Sequence, residues 1–248
     1  MEKKLGNIEQ FSYLKLDLST ENLFEDGYQY LPGSAWIFPS YLSKFWETLS
    51  SSWENLDLDT YMKEGDVYRY RKFGRFTYDS TTGHVQPIMD NTFYQSDKIN
   101  AYAGNVERVF SPLDIDIYKN RFLHYIISTS LHHFMETYKI NQKKWDITLH
   151  QFRIIANKEM IGLPTPEGIH QDGHKFISMH LIKRKDVNGG VSKIYNRSKE
   201  EVSEILLKDP MDSLFINDEE LYHSVTPISP ITEDKAYRDI LVIDYNFS

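Results

Sequence analysis

The chain has 248 residues, a net charge of −8 and no cysteine, which excludes disulfides and thiolate metal sites and leaves His, Asp and Glu as ligands. The acidic balance, with no basic run longer than Lys183-Arg184-Lys185, argues against nucleic acid as a partner. Mean hydropathy is −0.51, no stretch approaches the ~18 apolar residues of a membrane span, and MEKKLGNIEQFSYLKL has no apolar signal core, so a cytoplasmic protein without a membrane partner is expected.

Leu42, Phe45, Trp46, Leu49 and Trp53 recur at helical spacing after Pro39-Ser40 and predict an amphipathic helix over 40–54. From 67, VYRYRKFGRFTY alternates and reads as a strand. Residues 80–112 are punctuated by Pro87, Asn91, Gly104 and Pro112 and read as loops. Tyr118, Phe122, Ile126, Leu131, Phe134 and Tyr138 form the stripe of the longest helix, 115–138. After Trp145 the chain reads as β. Strands are predicted at 147–155 and 175–184, with Asn188-Gly189-Gly190 turning the second into a hairpin with 191–196. Ser198 as N-cap and Glu201 three residues on predict a short helix to Leu207. Strands at 213–217, 221–227 and 238–247 complete the series. The fold class is α+β, mainly β: a jelly-roll or cupin-like core with flanking helices. One domain is expected, with 1–66 a helical extension packed on the 67–248 core.

His170-Gln171-Asp172 carries the chemistry. In a strand, residues two apart share a face, so His170 and Asp172 aim at one point. His223, in Leu-Tyr-His-Ser-Val-Thr-Pro, is the third ligand chosen. Two imidazoles and a carboxylate can occupy one face of an octahedral metal and leave the others open, as in non-haem Fe(II) oxygenases. A lone His-x-Asp is common by chance; its order with a later His and Arg in the β half raises it above that background.

Arg238 opens an apolar strand, where a guanidinium needs a partner. A carboxylate of a 2-oxo acid would meet its planar fork; a salt bridge to Asp239 or Glu233 is the competing reading. Arg69, Arg71 and Arg75 share one face by parity, either as substrate-carboxylate holders or as a solvated edge, and Arg153 stands equally open. Thr226 is a candidate hydrogen-bond donor to the co-substrate. His174 shares the parity of Asp172, and it and His180 are candidates to support the ligands. His150 and His180 sit inside apolar strands, where a hydrogen-bonded core histidine is the ordinary state. His124, His132 and His133 on the long helix read as structural, and His84 as a loop residue.

The stretches Arg69-x-Arg71-x-x-x-Arg75-Phe76, His150-Gln151-x-Arg153, His170-x-Asp172, Met179-His180-Leu181, Asn188-Gly189-Gly190, His223-x-Val225-Thr226-Pro227 and Tyr237-Arg238-Asp239-Ile240-Leu241 occur in one order from about 67 to 244. In this the chain resembles the 2-oxoglutarate/Fe(II) dioxygenases that hydroxylate free L-amino acids, a family that includes bacterial L-isoleucine dioxygenase. The resemblance implies a double-stranded β-helix and an enzyme using Fe(II), 2-oxoglutarate and O2. It implies His170, Asp172 and His223 as iron ligands and Arg238 as partner of the distal 2-oxoglutarate carboxylate. It implies Arg69, Arg71, Arg75, His150, Gln151 and Arg153 around an amino-acid pocket. The chain departs from the familiar member at Gly173-His174, where that member carries an acidic pair. Rival readings are oxidation of a peptidyl or carrier-bound residue, a non-catalytic metal- or acid-binding barrel, and a zinc or nickel cupin isomerase.

Overall fold

The computed structural model describes residues 21–62, 65–95, 105–232 and 235–248. The first twenty residues of the predicted N-terminal extension therefore lie outside the described residues, as does Glu233.

Helix α1 (Glu21–Asp26) leads into strand β1 (Tyr28–Leu31). The predicted 40–54 helix is a 3-10 turn, α2 (Ser43–Ser51) and a second 3-10 turn in succession. Strand β2 (Asp57–Leu58) precedes the long β3 (Arg69–Asp79). The region expected to be loop holds three short strands, β4 (His84–Ile88), β5 (Thr92–Phe93) and β6 (Arg108–Val109). The predicted 115–138 helix is split into α3 (Ile115–Tyr118) and α4 (Arg121–Thr137). The break follows from Asn120, whose side chain accepts the Phe122 and Leu123 amides and caps α4.

Beyond α4 come β7 (Lys144–Ala156), β8 (Phe176–Lys185), β9 (Val187–Gly189), β10 (Ser192–Tyr195), β11 (Glu201–Ile205), β12 (Ser213–Asn217), β13 (Tyr222–Val225), β14 (Ile228–Pro230) and β15 (Ala236–Phe247). An eight-stranded antiparallel sheet runs β1-β12-β8-β15-β7-β3-β2, with β4 also on β3. A smaller sheet runs β11-β10-β13, and β14 pairs with β9.

The structure departs from two expectations. The 198–207 segment is a strand, β11, paired with β10. Asn196 accepts the Ser198 and Glu200 amides and Lys199 takes φ +60°, which closes a turn a helix cannot contain. Lys193 then reaches Glu201 and Glu204 across the strands at 2.8 and 2.6 Å. Secondly, 175–184 and 191–196 do not form a hairpin. Gly189 and Gly190 both have positive φ, and a Cβ on Gly189 would lie 2.0 Å from the Pro227 carbonyl. They carry the chain out of the large sheet, so β8 pairs with β12 and β15 while β10 pairs with β11 and β13.

The large sheet is covered on both faces. Phe76, Trp145, Leu149, Phe176, Leu241, Ile243 and Tyr245 pack outward with Leu123, Ile126, Leu131 and Phe134 of α4. Ile177, Leu181, Leu214, Ile216 and Ile240 pack inward with Ile194 of the small sheet. Each strand alternates between the two faces. That alternation puts Leu181 inward and Ile182 outward, beside a register shift between Asp239 and Ile240. Two packed sheets that exchange strands through such crossings, flanked by few helices, constitute a double-stranded β-helix.

Candidate metal centre and its cavity

The inner faces of the two sheets line a cavity of about 110 Å³, open at one side. At its mouth, His170 forms a single antiparallel bridge with His223 of β13. Each amide donates to the other's carbonyl, at 3.0 and 2.9 Å. The bridge sets the imidazoles side by side, with ring centroids 4.3 Å apart. The expected strand at 170–172 is this bridge alone. The chain then wraps around the buried carboxylate of Asp218, just past β12, which accepts the amides of Asp172, Gly173 and His174. That loop, not strand parity, turns Asp172 toward the histidines.

The Asp172 carboxylate lies 3.6 Å from His170 Nε2 and 3.3 Å from His223 Nε2. The three ligand atoms fall within 4.8 Å of one another. His170 Nδ1 donates to the Gly168 carbonyl at 2.9 Å, which leaves Nε2 to offer a lone pair. Burial opposes charge on both partners, yet their mutual attraction wins. The His170 pKa is held up at about 9 by Asp172 and Glu167, and the Asp172 carboxyl is held well below its ordinary value by the two imidazoles. Two imidazole nitrogens and one carboxylate, without sulfur, fit Fe(II) in a facial arrangement.

Arg238 enters the cavity from β15 and is fully buried. Its Nε and Nη2 have no hydrogen-bond partner among the described residues. Asp239, one of its expected partners, points to the opposite face and binds Arg153 at 2.7 Å. Burial and the neighbouring Arg184 guanidinium pull the Arg238 pKa down to about 10. An anion seated here would reverse that penalty.

A second cationic group lines the cavity from β3 and β6. Arg69 and Arg71 share the buried Asp59 carboxylate, at 2.8 and 3.5 Å. Arg108 donates to Gln95 Oε1 at 2.8 Å, and Gln95 donates to the Asp172 carbonyl at 2.9 Å. Arg71 stacks 3.5 Å over the Phe110 ring. Burial, with Arg69 and Arg108 close by, lowers the Arg71 pKa to about 9.

The other expected site residues divide by sheet face. His150 and His174 line the cavity with Arg69 and Arg71. Arg75 does not: it binds Asp90 at 2.6 Å away from the lining. Gln151 and Arg153 fall on the outer face, Gln151 on Ser52 Oγ at 2.8 Å and Arg153 between Glu54 and Asp239. His180 is also outward, bonded to Ser213 and Ser178 beneath Trp36. Thr226 is off the lining, its hydroxyl accepting the Val191 amide at 2.9 Å. His124, His132 and His133 make local or core hydrogen bonds. Sequence reading missed Asp59, Arg108, Asp218 and Asp244. Asp244 left one signal, an acidic residue inside the apolar Leu-Val-Ile-Asp-Tyr run at the parity of Arg238.

A double-stranded β-helix with two histidines and an aspartate at its mouth and a buried arginine within is the arrangement of a 2-oxoglutarate/Fe(II) oxygenase. The 2OG-Fe dioxygenase family profile matches residues 50–244, and the chain belongs to that family. Its cofactors are Fe(II), 2-oxoglutarate and O2. The chain is 27% identical over 197 residues to L-isoleucine-4-hydroxylase of Bacillus thuringiensis, covering 77% of this chain and 81% of that one. A crystal structure of a bsmA homolog from Methylobium petroleophilum PM1 superposes with a TM-score of 0.82 at 26% identity, covering 95% of this chain and 94% of the other. That of IDO from Bacillus thuringiensis has a TM-score of 0.76 at 21% identity, with 94% and 99% covered. No helix among the described residues is long and apolar enough to cross a membrane.

Proposed function

We propose that this dioxygenase hydroxylates an aliphatic carbon of a free L-amino acid, with 2-oxoglutarate converted to succinate and CO2. His170, Asp172 and His223 would hold Fe(II), which when bound supplies the activation of O2 with 2-oxoglutarate as reductant. Arg238 binds the far carboxylate of 2-oxoglutarate, bidentately through its unpaired nitrogens. Asp218 and the Gly168 carbonyl hold the ligand residues in place. Phe152, Ile240 and Val242 form apolar walls that keep water from the reacting carbon.

The observation that carries the substrate class is the second cationic wall. Arg69, Arg71 and Arg108 face the same cavity as the triad but are separate from Arg238. A substrate bearing its own carboxylate fits there while the co-substrate occupies Arg238. The L-isoleucine-4-hydroxylase relative supports the same reading. The test is succinate formation by iron-loaded protein given 2-oxoglutarate and O2 across the twenty free amino acids. Succinate above background with one or a few is expected. Background throughout, with Fe(II) and 2-oxoglutarate demonstrably bound, moves the target to a peptidyl or carrier-bound residue or another metabolite.

A further inference from the structure

Asp244 is a buried carboxylate with no role in the site described above. It lies on β15 with Arg238, Ile240 and Val242, lines the cavity, and is 2% exposed. Its Oδ2 accepts the Thr148 hydroxyl at 2.8 Å and faces His150 Nε2 at 3.4 Å and His174 Nε2 at 3.6 Å. Its Oδ1 is buried and has no partner among the described residues.

The His150 imidazole brings no compensating charge. His150 Nδ1 accepts from Arg71 at 2.6 Å, so its proton sits on Nε2 toward Asp244. Burial and then the Arg71 charge push the His150 pKa down to about 4, which keeps that ring neutral. His174 Nδ1 accepts from Asn246 Nδ2 at 2.6 Å and likewise turns Nε2–H to the carboxylate. Because both rings present N–H rather than a lone pair, the cluster does not suit a metal. What it lacks is a cation with hydrogen-bond donors for Oδ1.

Across His150 the imbalance is reversed. Among the described residues Arg69 and Arg71 share the Asp59 carboxylate, and Arg108 donates to the neutral Gln95 side chain, with Glu167 nearby. The cavity is therefore bipolar, with a single imidazole bonded to Arg71 on one side and facing Asp244 on the other. An α-amino acid carries its carboxylate and ammonium on one carbon and matches two opposite charges held this close.

We propose that Asp244 binds the substrate's α-ammonium while Arg71 and Arg108 hold its α-carboxylate, so that the cavity selects the free zwitterion over N-acylated, peptide-bonded or amine-free acids. The assignment rests on the amino-acid reading above and narrows it. N-acylation removes the charge and two of the donors that Oδ1 requires, and buried unpaired polar groups discriminate strongly.

The experiment is anaerobic calorimetry on protein loaded with Fe(II) and 2-oxoglutarate. The tightest binder among the twenty free amino acids is compared with its amine-free acid and its N-acetyl derivative. The wild type should bind both analogues at least ~30-fold more weakly. Asp244→Asn should weaken the free amino acid by a similar factor, leave the Kd of 2-oxoglutarate unchanged, and bring amino acid and amine-free acid to within about threefold of each other. Equal binding of amino acid and amine-free acid by the wild type overturns the assignment while the amino-acid reading stands, and this comparison holds even if the variant fails to fold. A folded Asp244→Asn that keeps full preference for the amine also overturns it. If no free amino acid binds, the amino-acid reading falls and the assignment falls with it.

Discussion

Asp218 holds the main chain of Asp172 in place: Oδ1 accepts the Asp172 amide at 3.1 Å, while Oδ2 takes those of Gly173 and His174 at 2.8 and 3.0 Å. The same Oδ1 lies 3.8 Å from His223 Nδ1. One buried carboxylate thus fixes the main chain at Asp172 and stands beside the His223 ring. Asp218→Ala leaves three amides without an acceptor. It should cost about 2–3 kcal/mol of stability and weaken Fe(II) or Mn(II) binding ~10–100-fold. Metal titration with urea unfolding checks this, and wild-type metal affinity in the variant would remove Asp218 from the centre's support.

Arg238→Lys keeps the charge and loses the fork. The Kd of 2-oxoglutarate, measured anaerobically with metal present, should rise at least ~10-fold in Arg238→Lys and ~100-fold or more in Arg238→Gln. Metal affinity should hold in both. Unaltered 2-oxoglutarate binding in Arg238→Gln would place the co-substrate elsewhere.

Arg108, which lines the cavity from β6, and Arg153, on the outer face of the large sheet, should fail differently. Arg108→Gln should raise the amino-acid KM at least ~10-fold with little change in Tm, since no carboxylate among the described residues pairs with it. Arg153→Ala strands the buried Asp239 and should cost about 3 kcal/mol, with the KM of the folded fraction unchanged. Paired melting and steady-state measurements on the two variants decide. A KM defect in Arg153→Ala would return it to the pocket.

Three histidines are buried as neutral rings. Burial holds His133 and His150 near pKa 4 and His180 near 3, against an ordinary 6.5. In the window from 6.5 down to about 4 the unfolded chain binds protons that the folded chain does not. Stability is full above about pH 7 and falls with acid, by up to about 1.4 kcal/mol per pH unit for each ring. Urea unfolding at pH 7.5 and 5.0 should show the loss, and His180→Gln should reduce its slope by one ring's share. An identical slope in that variant would mean that His180 is not held neutral.

Strand β11 shows why part of the fold was illegible. Ser198 and Glu201 carry the local marks of a helix start, but the Asn196 side chain and the positive φ of Lys199 form a turn first, and β10 supplies a pairing edge that no local pattern announces. The long strands β7, β8 and β15 were legible because their alternation has to satisfy two apolar layers along its whole length.

His170, Asp172, His223 and Arg238 could be singled out by residue type, order and spacing, because an oxygenase metal site and a carboxylate fork demand those chemistries. Strand alternation likewise set Arg69 with Arg71, whereas Asp239, offered as a salt-bridge partner of Arg238, falls on the other side of its strand and binds Arg153. Which side meets the cavity was decided only by packing: α4 and the small sheet cover opposite faces, sending Arg153, Gln151 and His180 outward and His150 inward. The supporting carboxylates came from the tertiary structure as well. Asp59, Asp218 and Asp244 meet their partners at separations of about ten to ninety-six residues. A one-dimensional pattern records what each residue can do, whereas charge partners are chosen by which strands come to lie side by side.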